Sequence, residues 1–284
     1  MPNSNSEIIG DLKRKLHAVV IGINYESNKS ITPKLRCAQN DAKMIYDLLC
    51  QNFSDHKDNF VLMTEDSELH HKPTLANIKH ELGYELTRRS SPDDFVIIFF
   101  SGHGTPEYIG QEEFPARYFV PMDADPSRIF ATCYSLERDI IDVLCKRNLK
   151  AFGTWVIIDC CFSGGAGKAF FGSTYETQVK NKKVLSPVFQ KLELGHGWQL
   201  LTASDFNEPA EEGNQYSVLT QAVLETLTGE LLTQSTIEKE NGIELMSFEV
   251  IHHEIKNKVK KLNHKQHPVV VGVNCGLKFP ILKK

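Results

Sequence analysis

The stretch Thr154–Gly167 reads T-W-V-I-I-D-C-C-F-S-G-G-A-G and decides the fold class of this chain. Its apolar, β-branched part, Trp155–Ile158, is typical of a strand that is buried on both faces. The run ends in Asp159, Cys160 and Cys161, and the glycines that follow allow the backbone to turn sharply. Ligands of open α/β sheets bind outside the carboxyl ends of the strands. An acid and two thiols are therefore predicted where chemistry is usually carried out.

A second stretch, Asp94–Phe100 (D-F-V-I-I-F-F), has the same buried-strand pattern and is followed by S-G-H-G, which contains His103. Two neighbouring parallel strands that end at these motifs would bring an imidazole beside a thiol. A thiolate attacks, so such a site has to lower the pKa of the thiol. The hypothesis from the residues is a Cys/His nucleophilic hydrolase. The alternatives are a buried structural cysteine at position 161 and a capping or core histidine at position 103.

Composition indicates one large globular domain or two small ones, because 41% of the 284 residues are hydrophobic and 24% are charged. The net charge of −4 predicts no nucleic-acid partner, and the lysines between 256 and 265 are interpreted as a solvated helix face. The seven cysteines are irregularly spaced and include no C-x-x-C pair, which argues against a disulfide framework and a structural zinc site.

The sequence also predicts where the protein resides. Residues 1–10 are polar and lack the apolar region of a signal peptide. No stretch approaches the ~18 apolar residues of a membrane span. The expectation is a cytoplasmic protein with no membrane partner.

Apolar periodicity predicts strands that alternate with helices, and therefore an α/β fold with a mostly parallel sheet covered by helices on both faces. The other predicted strands are Leu16–Ile23, Phe60–Met63, Trp198–Ala203 and His267–Val273. The predicted helices are Leu35–Leu49, Pro73–Arg89, Ser135–Asn148, Ser217–Leu232 and Ser247–Leu262. Thr105–Arg117 is predicted to be a loop, followed by an extended piece at Tyr118–Pro121.

Several motifs together resemble one known family, the caspase-like cysteine peptidases (clan CD, peptidase C14), in their metacaspase and bacterial orthocaspase branch. The motifs run in the family's order from about residue 16 to 273. They are H-A-V-V-I-G-I-N-Y (His17–Tyr25), L-R-C-A-Q-N-D-A (Leu35–Ala42), F-F-S-G-H-G (Phe99–Gly104), D-C-C-F-S-G-G (Asp159–Gly165), T-A-S-D-F-N-E-P-A-E-E (Thr202–Glu212) and Q-H-P-V-V-V-G (Gln266–Gly272).

The resemblance implies a caspase-like, mostly parallel six-stranded sheet and a cysteine-type endopeptidase, a hydrolase that works without a cofactor. Residues 1–14 would be a lead-in to a peptidase domain at 15–284. That domain would comprise a large-subunit-like part at 15–167, a linker at 168–197 and a small-subunit-like part at 198–284.

The resemblance also assigns roles. Cys161 would be the nucleophile and His103 its proton partner, working as a dyad, and the backbone N–H groups of Gly104 and Cys161 would hold the oxyanion. Cys160 would be the non-catalytic neighbour, packed inward because successive strand residues point to opposite faces.

By the same resemblance, Asp41, Ser101 and Asp159 form an acidic S1 pocket, and the partners are proteins or peptides with Arg or Lys at P1. An unpaired carboxylate in a cleft is costly unless a cation arrives. The alternative for Asp41 is a helix-face or capping carboxylate, and for Asp159 a carboxylate bonded to loop amides.

The chain departs from the family pattern at several positions. Phe162 follows the nucleophile where His is common, and Ala38 replaces a cysteine, with Cys37 one place earlier. Lys168 stands where the family has a calcium-binding acid, so the activity is predicted to be independent of calcium, and no metal site is predicted.

The linker contains Lys180, Lys182 and Lys183, which become candidate self-cleavage sites if the pocket takes basic residues. The alternative is an uncut loop.

The chain is expected to be a monomer that acts in regulated proteolysis, cell death or defence. Two other functions stay open, a catalytically silent caspase-like scaffold that binds partners through the same cleft and an unrelated flavodoxin-like binding domain. No phosphate-cradling G-x-G-x-x-G follows the first strand, which disfavours the latter.

Overall fold

A computed structural model of the chain describes most of the residues from position 14 onwards. The described residues are 14–107, 116–140, 143, 149, 151–160, 197–204, 208–232, 236–240, 242–263, 265–272 and 277–284.

A six-stranded sheet forms the centre of the molecule, as predicted. Its strands are Leu16–Gly22 (β1), Phe60–Thr64 (β2), Phe95–Ser101 (β3), Gly153–Asp159 (β7), Trp198–Thr202 (β8) and Val269–Gly272 (β11). They lie in the order β11-β8-β7-β3-β1-β2. All neighbours pair in parallel except β11, which runs antiparallel to β8. The sheet is therefore mostly parallel, and its central strands are buried along their whole length.

Helices cover both faces, which confirms the predicted three-layer arrangement. They are Ala38–Asn52 (α1), Leu75–His80 (α2), Leu86–Arg89 (α3), Ile129–Thr132 (α4), Val218–Leu227 (α5) and Phe248–Leu262 (α6). The side chains of α1, α5 and α6 belong to the apolar core on one face of the sheet. Those of α2, α3 and α4 belong to the core on the other face. Within the described ranges, none of these helices combines the length and the apolar character needed to cross a bilayer.

Two predicted elements differ in detail. The helix expected over Pro73–Arg89 forms, but a π-helical turn at Glu81–Glu85 separates α2 from α3. The helix expected over Ser135–Asn148 begins as a second π-helical turn, Leu136–Ile140, and most of its later residues lie outside the described ranges.

Two small antiparallel sheets were not predicted. One joins Gly104–Glu107 (β4), Ala116–Phe119 (β5) and Tyr134–Ser135 (β6), so the prediction of a loop starting at Thr105 was wrong. The other joins Glu238–Glu240 (β9), Ile243–Ser247 (β10) and Lys278–Pro280 (β12). These strands have two to five residues each, which is too short for a clear periodic pattern.

The carboxyl ends of three central strands meet at one edge, because Gly22 pairs with Ser101 and Ser101 pairs with Asp159. Helix α1 crosses close to this edge. A Cβ atom at Gly22 would lie 2.3 Å from the carbonyl oxygen of Ala38, so only glycine allows the helix to approach so closely. This contact brings Asp41, on the first turn of α1, to the ends of β1, β3 and β7.

Candidate active site

The strand ends form a cleft of about 420 Å³ that contains four of the predicted site residues. Asp41, Ser101, His103 and Asp159 all line it. The sequence-based expectation that these residues lie together is therefore met in the structure. Cys161, Lys168, Lys180, Lys182 and Lys183 lie outside the described residues, so the roles predicted for them stay predictions.

His103 lies two residues beyond the end of β3 and is held at several points. Its ring is almost completely buried, and Nε2 lies 2.7 Å from the carbonyl oxygen of Pro33. A carbonyl can only accept, so Nε2 carries the hydrogen, and in the neutral imidazole Nδ1 is left with a free lone pair. The ring of Tyr25 stacks on the imidazole with centroids 4.8 Å apart. The ring is thus fixed in one tautomer and one orientation.

The pKa of His103 is lowered from its ordinary value, and burial is the main cause because it disfavours the imidazolium. The hydrogen bond to Pro33 and the charge of Glu212 act in the opposite direction, whereas the charge of Lys34 adds to the decrease. The imidazole is therefore neutral at pH 7 and able to accept a proton.

Asp41 and Asp159 are both buried at the floor of the cleft. Asp41 accepts hydrogen bonds from the Ser101 hydroxyl at 2.9 Å and from the backbone N–H of Ser217 at 3.0 Å. Asp159 accepts from the hydroxyls of Ser217 and Thr220. A backbone hydrogen bond from Thr220 also stabilises the charged form of Asp159, so the partners described for this carboxylate all come from the start of helix α5.

The pKa values of both carboxyl groups are raised from their ordinary values. Burial raises the pKa of Asp41 to about 8, the negative charge of Asp159 adds to this, and the bonds from Ser217 and Ser101 oppose it. Burial also raises the pKa of Asp159, against the hydrogen bonds from Ser217 and Thr220. The pair therefore retains a proton at neutral pH when the cleft holds no cation.

Helix α5 explains how the fold accommodates two buried acids. Ser217 caps this helix, and its hydroxyl accepts from the N–H of Thr220 while it donates to Asp159. Both carboxyl groups thus face the positive end of a ten-residue helix. A cation in the cleft would supply the remaining compensation.

Sequence reasoning missed several residues of this site. They are Tyr25, Pro33, Glu212, Ser217 and Thr220. A Ser directly before an apolar helical run is a recognisable N-cap signal, so Ser217 could have been found as a cap, although not as a ligand of Asp159. Tyr25, Pro33 and Glu212 contribute through long-range contacts that leave no local pattern.

The remaining predictions concern the walls of the cleft. Cys160 is buried, and it lines the cleft together with Ala38. The Cys37 thiol is buried 3.7 Å from the carbonyl oxygen of Gly213. Gly104 begins β4 directly after His103, and its role in holding an oxyanion stays a prediction.

The rim of the cleft is acidic. Glu211 and Glu212 line it together with one basic side chain, that of Arg36. Glu212 accepts hydrogen bonds from the backbone N–H groups of Arg36 and Cys37 at 2.6 and 2.7 Å. It therefore ties the segment after β8 to the start of α1. Among the described residues that line the cleft, acidic side chains outnumber basic ones.

Comparison with known proteins agrees with this geometry. The model of the family described as "Metacaspase, peptidase C14 domain" matches residues 16–168, more than half of the chain. Metacaspase-1 of Emericella nidulans is 30% identical over 162 residues, which cover 54% of this chain and 36% of that protein. Metacaspase-4 of Arabidopsis thaliana is 28% identical over 153 residues, which cover 52% of this chain and 33% of that protein. The chain thus spans about a third of the length of these relatives.

The fold is also similar to that of a solved structure, protein GSU0716 from Geobacter sulfurreducens, with a TM-score of 0.59. The superposition covers 93% of this chain and 97% of the other at 14% sequence identity, so the likeness concerns the fold alone. The family match extends from β1 through α1 and the His103 motif to the segment after Cys161. The chain therefore belongs to the metacaspase family of caspase-like cysteine peptidases.

Proposed function

We propose that this chain is a cysteine endopeptidase that uses Cys161 and His103 and cleaves proteins after Arg or Lys. The observation that carries the proposal is the pair of buried carboxyl groups, Asp41 and Asp159, in the cleft that also contains the His103 ring. Family membership supports the peptidase chemistry, and the charge of the cleft supports the choice of substrate.

The imidazole is suited to move protons during acyl transfer. Because Nε2–H is bonded to Pro33, Nδ1 is the atom that takes the thiol proton. The sulfur of Cys161 then attacks the carbonyl carbon of the scissile peptide, and the C–N bond breaks as Nδ1–H gives its proton to the leaving amine. Water deprotonated at Nδ1 attacks the acyl-enzyme and releases the acid product and the thiol.

The acid pair is suited to a basic P1 side chain. A guanidinium or ammonium group entering the cleft would neutralise the carboxylates and displace the proton that Asp41 holds when the cleft is empty. The Ser101 hydroxyl, which donates to Asp41, lies on the same floor. Glu211 and Glu212 at the rim add further attraction for cationic peptides, and an aspartate at P1 would meet repulsion instead.

Three finer features belong to the same proposal. The lysines at 180, 182 and 183 have the P1 chemistry that the cleft favours, so the segment between β7 and β8 is proposed as a site of self-processing. Lys168 in place of an acid supports calcium-independent activity. We place the monomeric enzyme in regulated proteolysis linked to cell death or defence, by analogy with the family.

The test uses fluorogenic peptides that differ only at P1. Wild-type protein should hydrolyse Arg and Lys peptides and not the Asp peptide, and both Cys161→Ala and His103→Ala should lose the activity. Cys160→Ala is the matched control, since the neighbouring thiol is buried and should not be needed. A folded wild-type protein that binds basic peptides without cleaving any would favour the silent scaffold instead.

A further inference from the structure

Tyr25 contacts both the ring and the backbone of His103. Its hydroxyl accepts a hydrogen bond from the backbone N–H of His103 at 2.7 Å and donates one to the carbonyl oxygen of Val120 at 2.8 Å. Its ring stacks on the imidazole with an interplanar angle of 23°. The side chain is fully buried.

The hydroxyl of Tyr25 interrupts a strand pairing. Gly104 pairs with Phe119 in an antiparallel register, so His103 and Val120 are the next pair, and the N–H of Val120 donates to the carbonyl of His103 at 3.0 Å. In a regular pair of this kind the reciprocal bond would run from His103 to Val120. Here the phenol oxygen stands between the two groups and bridges them. It keeps the N–H of His103 apart from the carbonyl group of Val120.

The loop that carries Tyr25 is itself held rigidly. Tyr25 has a positive φ of 66°, which an aromatic residue adopts only where its surroundings compensate the cost. The carboxylate of Glu65 accepts from the backbone N–H groups of Asn24, Glu26 and Ser27 on either side of it. Pro33, which accepts from the ring of His103, lies further along the same loop.

Space for the hydroxyl is reserved by Gly102. A Cβ atom at this position would lie 2.8 Å from the Tyr25 oxygen and 3.1 Å from the ring of Phe100. A side chain at 102 would therefore push the phenol away from His103. The position of the Tyr25 hydroxyl therefore requires a glycine at position 102.

We propose that Tyr25 is a positioning residue for the reaction, which sets the position of the His103 imidazole relative to the attacking sulfur by holding the N–H of His103 apart from the carbonyl group of Val120. The inference rests on the proposed function, in which His103 moves the proton. Tyr25 acts on the reaction only through His103, by its ring contact and its hydrogen bond.

The first test is Tyr25→Phe, which keeps the stacked ring and removes only the bridging oxygen. The N–H of His103 is then free to bond Val120 directly, which draws the imidazole away from its position. A misplacement of about 1 Å can cost about 100-fold in rate, so kcat on an Arg peptide should fall by about 10- to 100-fold. KM should stay within about twofold, because Asp41 and Asp159 do not contact Tyr25.

Tyr46→Phe is the matched control, since Tyr46 is a half-buried tyrosine on α1 outside the cleft, and its kcat should be unchanged. Glu65→Gln is a second, milder variant that weakens the support of the loop without altering Tyr25. Glu65→Gln should also lower kcat, with KM unchanged. This variant allows the proposal to be tested even if Tyr25→Phe does not fold.

A spectroscopic measurement separates positioning from a general loss of structure. The Nε2–H proton of His103, assigned by its loss in His103→Ala, should shift and exchange faster in Tyr25→Phe than in wild type or Tyr46→Phe. Wild-type kcat in a folded Tyr25→Phe, while His103→Ala is inactive, would overturn this inference alone. Full activity in His103→Ala would overturn the proposed function instead.

Discussion

Asp41 and Asp159 are hydrogen-bonded to the same residue, Ser217, one through its backbone N–H and the other through its hydroxyl. The two acids are 118 positions apart in the chain (159 − 41) and come from a helix and a strand. Their shared partner caps a third element, α5. This arrangement places two buried carboxyl groups at one helix cap, and the proposed choice of a basic P1 residue depends on it.

The first prediction concerns the selection of the P1 residue. Asp159→Asn and Asp41→Asn should each lower kcat/KM for an Arg peptide by at least about tenfold, since each removes one charge that a guanidinium would pair with. The measurement is a P1 scan with the three proteins. Asp47→Asn, on the exposed side of α1, is the control and should behave as wild type. Unchanged preference for basic residues in both cleft variants would show that the pocket lies elsewhere.

The second prediction concerns the pH dependence of substrate binding. The pKa of Asp41 is raised to about 8, so the empty cleft holds a proton that a basic side chain must displace. KM for an Arg peptide should therefore fall as pH rises from 6 towards 8. Calorimetry in buffers of different ionisation enthalpy should detect release of a proton on binding of an Arg-containing inhibitor. Asp41→Asn should abolish most of both effects, and a KM independent of pH in wild type would contradict the assignment.

The third prediction concerns stability. A carboxyl group whose pKa is raised in the folded state stabilises the fold fully below its unfolded value, near 4, and this contribution is lost as pH rises towards 8. Asp41→Asn has no such group, and its amide can still accept from Ser217 and donate to Ser101. The free energy of unfolding of Asp41→Asn, relative to that of wild type, should therefore increase by at least about 1 kcal/mol between pH 5 and pH 8. Urea titrations at the two pH values measure the unfolding free energy of the variant minus that of wild type, and a difference that stays constant or falls from pH 5 to 8 would refute the prediction.

The fourth prediction concerns the acidic limb of the activity profile. Burial lowers the pKa of His103, and Glu212 and Lys34 are the charged groups that oppose and reinforce this decrease. The neutral imidazole should therefore persist below pH 6.5, and kcat/KM should decline only at more acidic values. Glu212→Gln removes a charge that raises the pKa, so its acidic limb should move lower still. Movement of that limb to higher pH would argue against His103 as the titrating group.

The fifth prediction concerns self-processing. Purified wild-type protein should yield two fragments in a mass spectrum, with a cut after one of Lys180, Lys182 and Lys183. Cys161→Ala should remain intact, and so should a variant with all three lysines replaced by alanine. Identical intact masses of wild type and Cys161→Ala would remove the self-processing proposal and leave the peptidase proposal standing.

Much of the fold could be predicted because it depends on local pattern. The buried strands read as continuous apolar runs, and β1, β3 and β7 match the predicted positions to within one or two residues. The mostly parallel sheet followed from the alternation of strands and helices. The strands β9, β10 and β12 were missed because their sequences are short and partly charged, and their pairing comes from distant segments.

The residues with intrinsic reactivity were visible in the same way. His103 and Asp159 follow buried strands, and Asp41 was identified through its motif. A reactive residue type directly after an apolar run can be recognised from the sequence alone. The supporting contacts carry no such signal, since Tyr25 and Val120, or Asp41 and Ser217, are 95 and 176 positions apart.

The sequence by itself determined the class of fold, the family and the identity of the groups that can do chemistry, because each depends on residue type and on spacing along the chain. Only the tertiary structure decided that the hydrogen of His103 lies on Nε2, that a phenol oxygen separates His103 from Val120, and that two acids share one helix cap. These features depend on distances between segments that are remote in the chain, and such distances are set when the helices pack against the sheet.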